Sequence, residues 1–376
     1  MSAALTPGHS DVDATVVGGG LVGLAIALGL QDQGRRVVIV DEGDIALRAS
    51  RGNFGLVWVQ GKGDTCADYA RLTRLSARQW RAFADDLTDA TGIDIQLSQI
   101  GGLYICLSDD ELQQRQQMLA SMRLEHNDDY PFELLDHTAL KAKVPAIGPT
   151  VAGATWGPED GHVNPLLLLR AMVERFLQRQ GQLLTCGPVT RIEPITGGFR
   201  VHAGKQWNES TKVVLAAGLG NKTLAPQVGL SAPLQPNRGQ VLIAERVRHF
   251  LDYPTGHVRQ TGEGTIQCGD SKEDVGFDCG TTTDVLATIA ARAVRMFPLL
   301  EQVRLVRSWG ALRVMTPDGY PIYQQSEQYP GAYLVTCHSG VTLAAAHAGP
   351  IAAWIDSGQH PDDFALETFH GQRFSV

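Results

Sequence analysis

The chain has 376 residues, 43% of them hydrophobic, enough to bury a sizeable core and to form two domains. Its formal net charge of -8, from 40 acidic and 32 basic side chains, leaves no basic face for a phosphate backbone, which argues against nucleic acid and for small-molecule or protein partners. The six cysteines (Cys66, Cys106, Cys186, Cys268, Cys279 and Cys337) are scattered without a C-x-x-C pair. They read as reduced, buried thiols of a cytoplasmic protein, and no metal site is expected on this chain.

In chain order, "MSAALTPGHSDVD" has no Lys or Arg ahead of an apolar stretch and reads as a flexible leader, not a secretory signal. The uncharged run "VVGGGLVGLAIALGL" is shorter than a membrane span and rich in glycine, so no transmembrane helix is expected. It reads instead as strand, turn and helix. Gly18, Gly20 and Gly23 fit G-x-G-x-x-G, in which the first glycine permits a tight turn, the second admits a pyrophosphate against the backbone, and the third lets helix pack on strand. Leu21 and Val22 open the helix, whose free N-H groups would face the phosphates. A second strand, "RRVVIVDE", ends in Asp41 and Glu42, where an acidic side chain can accept the ribose hydroxyls of an adenosine.

Further along, Asp68 to Ala90 and Asp109 to His126 have helical periodicity, while "GGLYICLS", "GQVLIAE" and "GTIQCG" read as strands. In "DGHVNPLLLL", Pro165 suits a first helical turn, and His162 reads as a structural residue holding the bend. Two distant segments favour a flavin over a nicotinamide. "TKVVLAAGLG" is a buried strand ending in Ala217 and Gly218, suited to a second backbone crossing beside the pyrophosphate. "GAYLVTCHSGVTLAAAHAGPIAAWI" runs from a strand through Ser339, Gly340, Val341 and Thr342 into an apolar helix, whose amides could stabilise negative charge on a reduced flavin.

With "RASRGNFGLVWVQGKG", "DGHVNPLLLLRAM", "RGQVLIAE" and "RSWGALRVMTPDGYPIY", in that order, these segments resemble the D-amino-acid oxidase-like family of FAD enzymes over nearly the whole chain. The flavoprotein subunits of D-hydroxyproline dehydrogenase, opine oxidase and hydrogen cyanide synthase look most similar. The resemblance implies a mixed α/β and α+β fold: a Rossmann-type FAD-binding domain from residues 1–60, 145–230 and 318–376, and a substrate domain on an antiparallel sheet from residues 61–144 and 231–317.

For the site, the resemblance implies that Ser50 lies at the pyrophosphate, that Asn53, Gly55 and Leu56 pass the flavin ring, and that Val189 touches the adenine end. Arg313, in "WGALRVMTPDGYP", matches the family's carboxylate-binding arginine, although Val314 stands where a proline is usual. His257 takes the place of a pocket tyrosine and could titrate near neutral pH. His338, in "CHSG", could contact substrate or flavin, and Arg259 could face the pocket. Asp318 and Gly319 read as a turn. The expected substrate is an amino acid or opine. The expected partners are further subunits carrying an iron-sulfur cluster or a second flavin.

Overall fold

The computed structural model describes residues 12–43 and 49–374. Residues 1–11 of the leader, and Arg48 in "RASRGN", lie outside the described residues.

The first strand, β1 (Ala14–Val17), runs into the helix α1 (Leu21–Asp32) and on to β2 (Val37–Val40), which pairs parallel with β1. Strands from far along the chain complete a six-stranded sheet. Lys212–Leu215 lies parallel to β1 on its other side, Ala332–Thr336 follows it, and Gln182–Leu184 lies parallel to β2. Ile322–Gln325 closes the far edge antiparallel.

Because strand side chains alternate, and layers cover both faces, nearly every position is apolar. Val16, Val37, Ile39, Val214 and Val335 pack with residues of α1 and of the helices Pro165–Gln178 and Ala67–Thr91. Val17, Val213, Leu215, Val38 and Val40 face the antiparallel strands Val189–Ile195, Gly198–Ala203 and Gln206–Ser210. Each fully buried aliphatic side chain contributes about 1.5–3 kcal/mol.

Local signals place the helices. Ser108 Oγ accepts from Glu111 N at the start of Asp109–Glu125, and Asn164 Oδ1 accepts from the amides of Leu166 and Leu167 at the start of Pro165–Gln178. Gly92, in the left-handed conformation, ends Ala67–Thr91.

The second layer is antiparallel. Gln235–Arg246 pairs with Leu305–Met315 on one side and Thr265–Gly269 on the other, and Val258–Gln260 forms an edge. A further sheet, Gly102–Cys106, Gly153–Gly157 and Glu133–Asp136, adjoins it through a bridge from Leu103 to Thr255. Gly153–Gly157 falls inside the 145–230 span assigned above to the FAD domain, yet it pairs in this layer.

One face of the four-stranded sheet, with Leu242, Ala244, Val258, Ile266 and Cys268, packs with residues of helix Thr283–Met296. On the other face, Trp309, Ala311 and Arg313 stand at alternate positions. Trp309 Nε1 donates to Gly52 O at 3.0 Å, a Cβ on Gly52 would strike Ala311, and Phe54 lies against Gly269. That face is therefore turned toward residues 52–54, in the segment that the resemblance assigns to the flavin.

Cys106, Cys268 and Cys337 are buried and Cys66 and Cys186 half-buried. Cys279 departs from the expectation of buried thiols. It is exposed because it lies in the polar loop before Thr283–Met296.

Candidate active site

The glycine turn has the shape its spacing implies. Gly18 has φ +110, where a side chain would be strained, and a Cβ there would press on Ala216 O. A Cβ on Gly23 would lie on the Gly18 carbonyl oxygen, so only glycine lets α1 start this close to β1. The same geometry brings Ala217 beside Gly18, and Gly218 follows with φ +57. The N-cap of α1, Gly20, has no side chain to cap the helix, and the first turn holds no acidic residue. This is a partly buried helix start in a cradle that a side chain would fill, and its amides beyond Leu21 fit a pyrophosphate.

Asp41 accepts from Gly19 N at 2.7 Å and from Gly43 N at 2.9 Å, which fixes it at the end of β2 beside half-buried Glu42. Ser50 Oγ accepts from Leu21 N at 3.0 Å. Val189 packs beside both apolar groups on the meander side of the sheet, Val17 with Leu215 and Val38 with Val40.

The segments expected at the flavin ring converge from three parts of the chain. Gly340 lies against Val22 of α1. Thr342 Oγ1 accepts from Trp58 N at 3.1 Å and donates to Leu56 O at 3.3 Å, while Val341 is buried in the core. Asn53 closes its own turn: Nδ2 donates to Ser50 O and Oδ1 accepts from Gly55 N, both at 2.8 Å. Gly55, with φ +81, passes close to Val163 O and Arg259.

The chain belongs to the FAD dependent oxidoreductase family. The family of that description matches residues 13–354, nearly the full length. The chain is 45% identical to an opine oxidase subunit of Agrobacterium tumefaciens (strain Ach5) over 368 residues, covering 96% of this chain and 99% of that one. Its fold is similar to that of glycine oxidase from Geobacillus kaustophilus, with a TM-score of 0.88 at 23% identity, covering 95% and 97% of the two chains. L-proline dehydrogenase from P. horikoshii gives a TM-score of 0.84 at 19% identity, covering 97% and 98%. The chain is an FAD-dependent oxidoreductase, and FAD is its cofactor.

Above the flavin-binding segments, Arg313 lies flat across Gly239, where a Cβ would collide with its guanidinium. Nη1 donates to Asn237 Oδ1 at 3.1 Å, and Nη2 is paired with the Asp270 carboxylate. The Asp270 side chain is 39% exposed and that of Arg313 17%, so a second carboxylate can approach the pair.

His257 stands on the same sheet, its backbone carbonyl accepting from Gly269 N at 2.9 Å and its ring edge-on to Tyr104. Burial, with Arg292 adding to it, lowers its pKa to about 4. Its pKa therefore lies below the near-neutral range expected for it. His338 is exposed. Burial among protein groups and the charges of Lys62, Arg313 and Lys272 hold its pKa well below the usual value.

Arg259 is turned toward Gly55 but is tied up structurally. Nε donates to Gln267 Oε1 at 2.7 Å, and Nη1 contacts Val163 O and His162 Nδ1. His162, lowered to about 3 by burial and by Arg259, is neutral and holds the bend. Both line a cavity of about 280 Å³ that also includes His249 and Asp252. Asp318 makes the expected turn, accepting from Tyr320 N at 3.0 Å, with Gly319 at φ +80.

Sequence reasoning missed two residues. Lys62, at the end of "WVQGKG", donates to Ser339 Oγ at 2.6 Å, and Tyr69 OH donates to the same oxygen at 2.9 Å. Asp160, fully buried, clasps the loop that carries Lys62: Oδ1 accepts from Val59 N at 2.5 Å and from Gln60 N at 3.2 Å, and Oδ2 from Gln60 Nε2 at 2.7 Å. Burial pushes its carboxyl up to about 7 against those donors. The available signal was the pair of glycines, Gly61 and Gly63, that frame Lys62.

Proposed function

We propose that the chain oxidises the C–N bond of a D-amino acid or secondary amino acid, such as cis-4-hydroxy-D-proline, D-proline or an opine, to the imine, as a cytoplasmic dehydrogenase subunit. Arg313 carries this reading: it is a partly accessible guanidinium on the sheet face turned toward the flavin segments, suited to a bidentate carboxylate. The similarity to the opine oxidase chain of Agrobacterium tumefaciens supports the same substrate class.

FAD, when bound, supplies the acceptor for a hydride at flavin N5. The C–H electron pair of the substrate leaves as that hydride, the nitrogen lone pair forms C=N, the N–H proton passes to water, and water then hydrolyses the imine. Arg313 holds the carboxylate, and the neutral rings of His257 and His338 line the space without competing for it. The roof aligns the C–H bond and excludes water, a positioning effect worth up to about 7–11 kcal/mol. Anaerobic addition of amino acids, proline derivatives and opines to the FAD-loaded protein tests this. Bleaching of the flavin is expected, and no bleaching by any of them would sink the reading.

The relative from Agrobacterium tumefaciens is one subunit of an opine oxidase, which supports transfer of electrons to partner subunits that carry an iron-sulfur cluster or a second flavin. The similarity of fold to glycine oxidase favours the alternative, an oxidase that uses oxygen alone. Purification of the tagged chain from its host, with an iron and flavin inventory and a peroxide assay, separates the two. Co-purifying subunits with iron or extra flavin, and slow peroxide formation by the isolated chain, are expected.

A further inference from the structure

The cavity of about 280 Å³ lies at one edge of the roof sheet, lined by Arg259 of the strand Val258–Gln260 and by Gln96, Ser98, His162 and Asn164. Val258–Gln260 and Leu305–Met315 are the two outer strands of that four-stranded sheet. Three strand spacings therefore set the strand of Arg259 about 14 Å from the strand of Arg313. The two arginines serve different places.

Arg259 is 4% exposed, and among the described residues no carboxylate pairs with its guanidinium. Glu263 acts on it from a distance but accepts from Gln96 Nε2 at 2.7 Å, and Asp252, at the same cavity, bonds His249 at 3.1 Å. A cation enclosed by protein without a counter-charge is costly. Burial accordingly lowers its pKa to about 10.

Hydrogen-bonding groups on the residues that line this space are left unused. Gln267, Val163 O and His162 Nδ1 take up Nε and Nη1 of Arg259, which leaves both N–H bonds of Nη2. Because the guanidinium can only donate, His162 accepts at Nδ1 and carries its proton on Nε2. Nη2, this Nε2 and Ser98 Oγ have no partner among the described residues, and none of the three is sealed inside protein. The wall beside them is fixed: Gln96 holds a left-handed φ of +58, and its Oε1 accepts from Asn164 Nδ2 at 3.3 Å.

We infer that this cavity is a second small-molecule site, separate from the amine-oxidising one, and that it takes an oxyanion, a phosphate group in preference to a carboxylate. Arg259 supplies the charge, and His162 Nε2 and Ser98 Oγ supply neutral donors. With Nε and Nη1 engaged, the guanidinium cannot offer the parallel fork that suits a planar carboxylate. An ion with more oxygens meets single donors from several directions. The arginine is too recessed to meet a flat protein surface, which favours a small molecule over a partner chain.

The test is isothermal titration of the FAD-loaded protein with inorganic phosphate, at an ionic strength held constant with potassium chloride. FAD then fills its own pyrophosphate cradle, and phosphate is expected to bind once per chain, more tightly than acetate. Arg259→Met should raise the phosphate Kd by about 10-fold or more, the size of one charge-assisted contact, and Ser98→Ala by about 2- to 10-fold. Arg313→Ala should leave the phosphate Kd unchanged.

Absence of binding in the unaltered protein, or an unchanged phosphate Kd in Arg259→Met, would overturn the inference. Loss of binding in Arg313→Ala would place the anion in the amine-oxidising site and overturn it as well, and tighter binding of acetate would end the preference for phosphate. If Arg259→Met fails to fold or to hold FAD, Ser98→Ala decides, and an unchanged Kd there overturns the site. Flavin bleaching by amines bears on the amine-oxidising reading alone, so the two readings fail separately.

Discussion

The glycine turn and the roof sheet build their halves of the site from different materials. At the turn, backbone does the work: Gly18, Gly20 and Gly23 clear space, α1 presents amides, and the surrounding residues are apolar and buried. In the roof, side chains do it: Arg313, on its strand, is held by Asn237 and paired with Asp270. A backbone site follows from local sequence and tolerates almost no substitution. A side-chain site can be retuned one residue at a time, which is where substrate choice resides.

The sharpest break in that contrast is Gly23→Ala. Its added methyl would lie on the Gly18 carbonyl, which cannot move without displacing β1. Loss of FAD and a fall in Tm are expected together, read by flavin content and calorimetry. A variant that keeps full FAD would show that α1 has slack.

Next in size is Arg313→Ala. FAD should stay bound while kcat/KM for a carboxylate substrate falls by about 10- to 100-fold or more, because the charge-assisted pair is lost. Arg313→Lys should recover only part, since an ammonium cannot reproduce the fork. Unchanged catalytic efficiency in the alanine variant would remove Arg313 from the site.

Asp160 lies outside both regions, clasping the loop at Val59 and Gln60, and its effect is a pH dependence. With its carboxyl raised to about 7 by burial, the folded chain holds a proton that the unfolded chain releases near the ordinary carboxylate pKa of about 4. The stability it contributes is therefore fully present below about pH 4 and is lost as pH rises through 7. The Tm difference between the unaltered protein and Asp160→Asn should shrink across that window. A difference that grows with pH would mean the donors from Val59 and Gln60 hold the carboxylate ionised.

One finer measurement concerns the roof. The smallest effect is expected from His257. With a pKa lowered to about 4 by burial, it should add no step to the kcat/KM profile between about pH 5 and 7, and a step there that disappears in His257→Gln would contradict the neutral ring.

Much of the fold was legible because its signals are local. The β-branched runs of β1 and β2, the glycines between β1 and α1, Pro165 after Asn164, and the alternation in "GQVLIAE" each depend on neighbours a few positions away. Gly153–Gly157 was misplaced because a short apolar strand carries no mark of which sheet it joins. The roles of Arg313 and Asn53 were less legible. The sequence offers the side chains, but Asp270 and the local turn determine what they bond.

The sequence by itself determined the dinucleotide turn, its acidic partner Asp41 and the order of the flavin segments, since glycine spacing and strand periodicity are covalent properties of the chain. Tertiary structure decided the charge of the site. Lys62 meets Ser339 across 277 positions, Asp160 clasps Gln60 across 100, and Arg313 finds Asp270 across 43. The lowered pKa values of His257 and Lys62 follow from surroundings that only packing creates. Desolvation and Coulomb energy depend on distance in space, so these properties exist only once the distant segments have packed together.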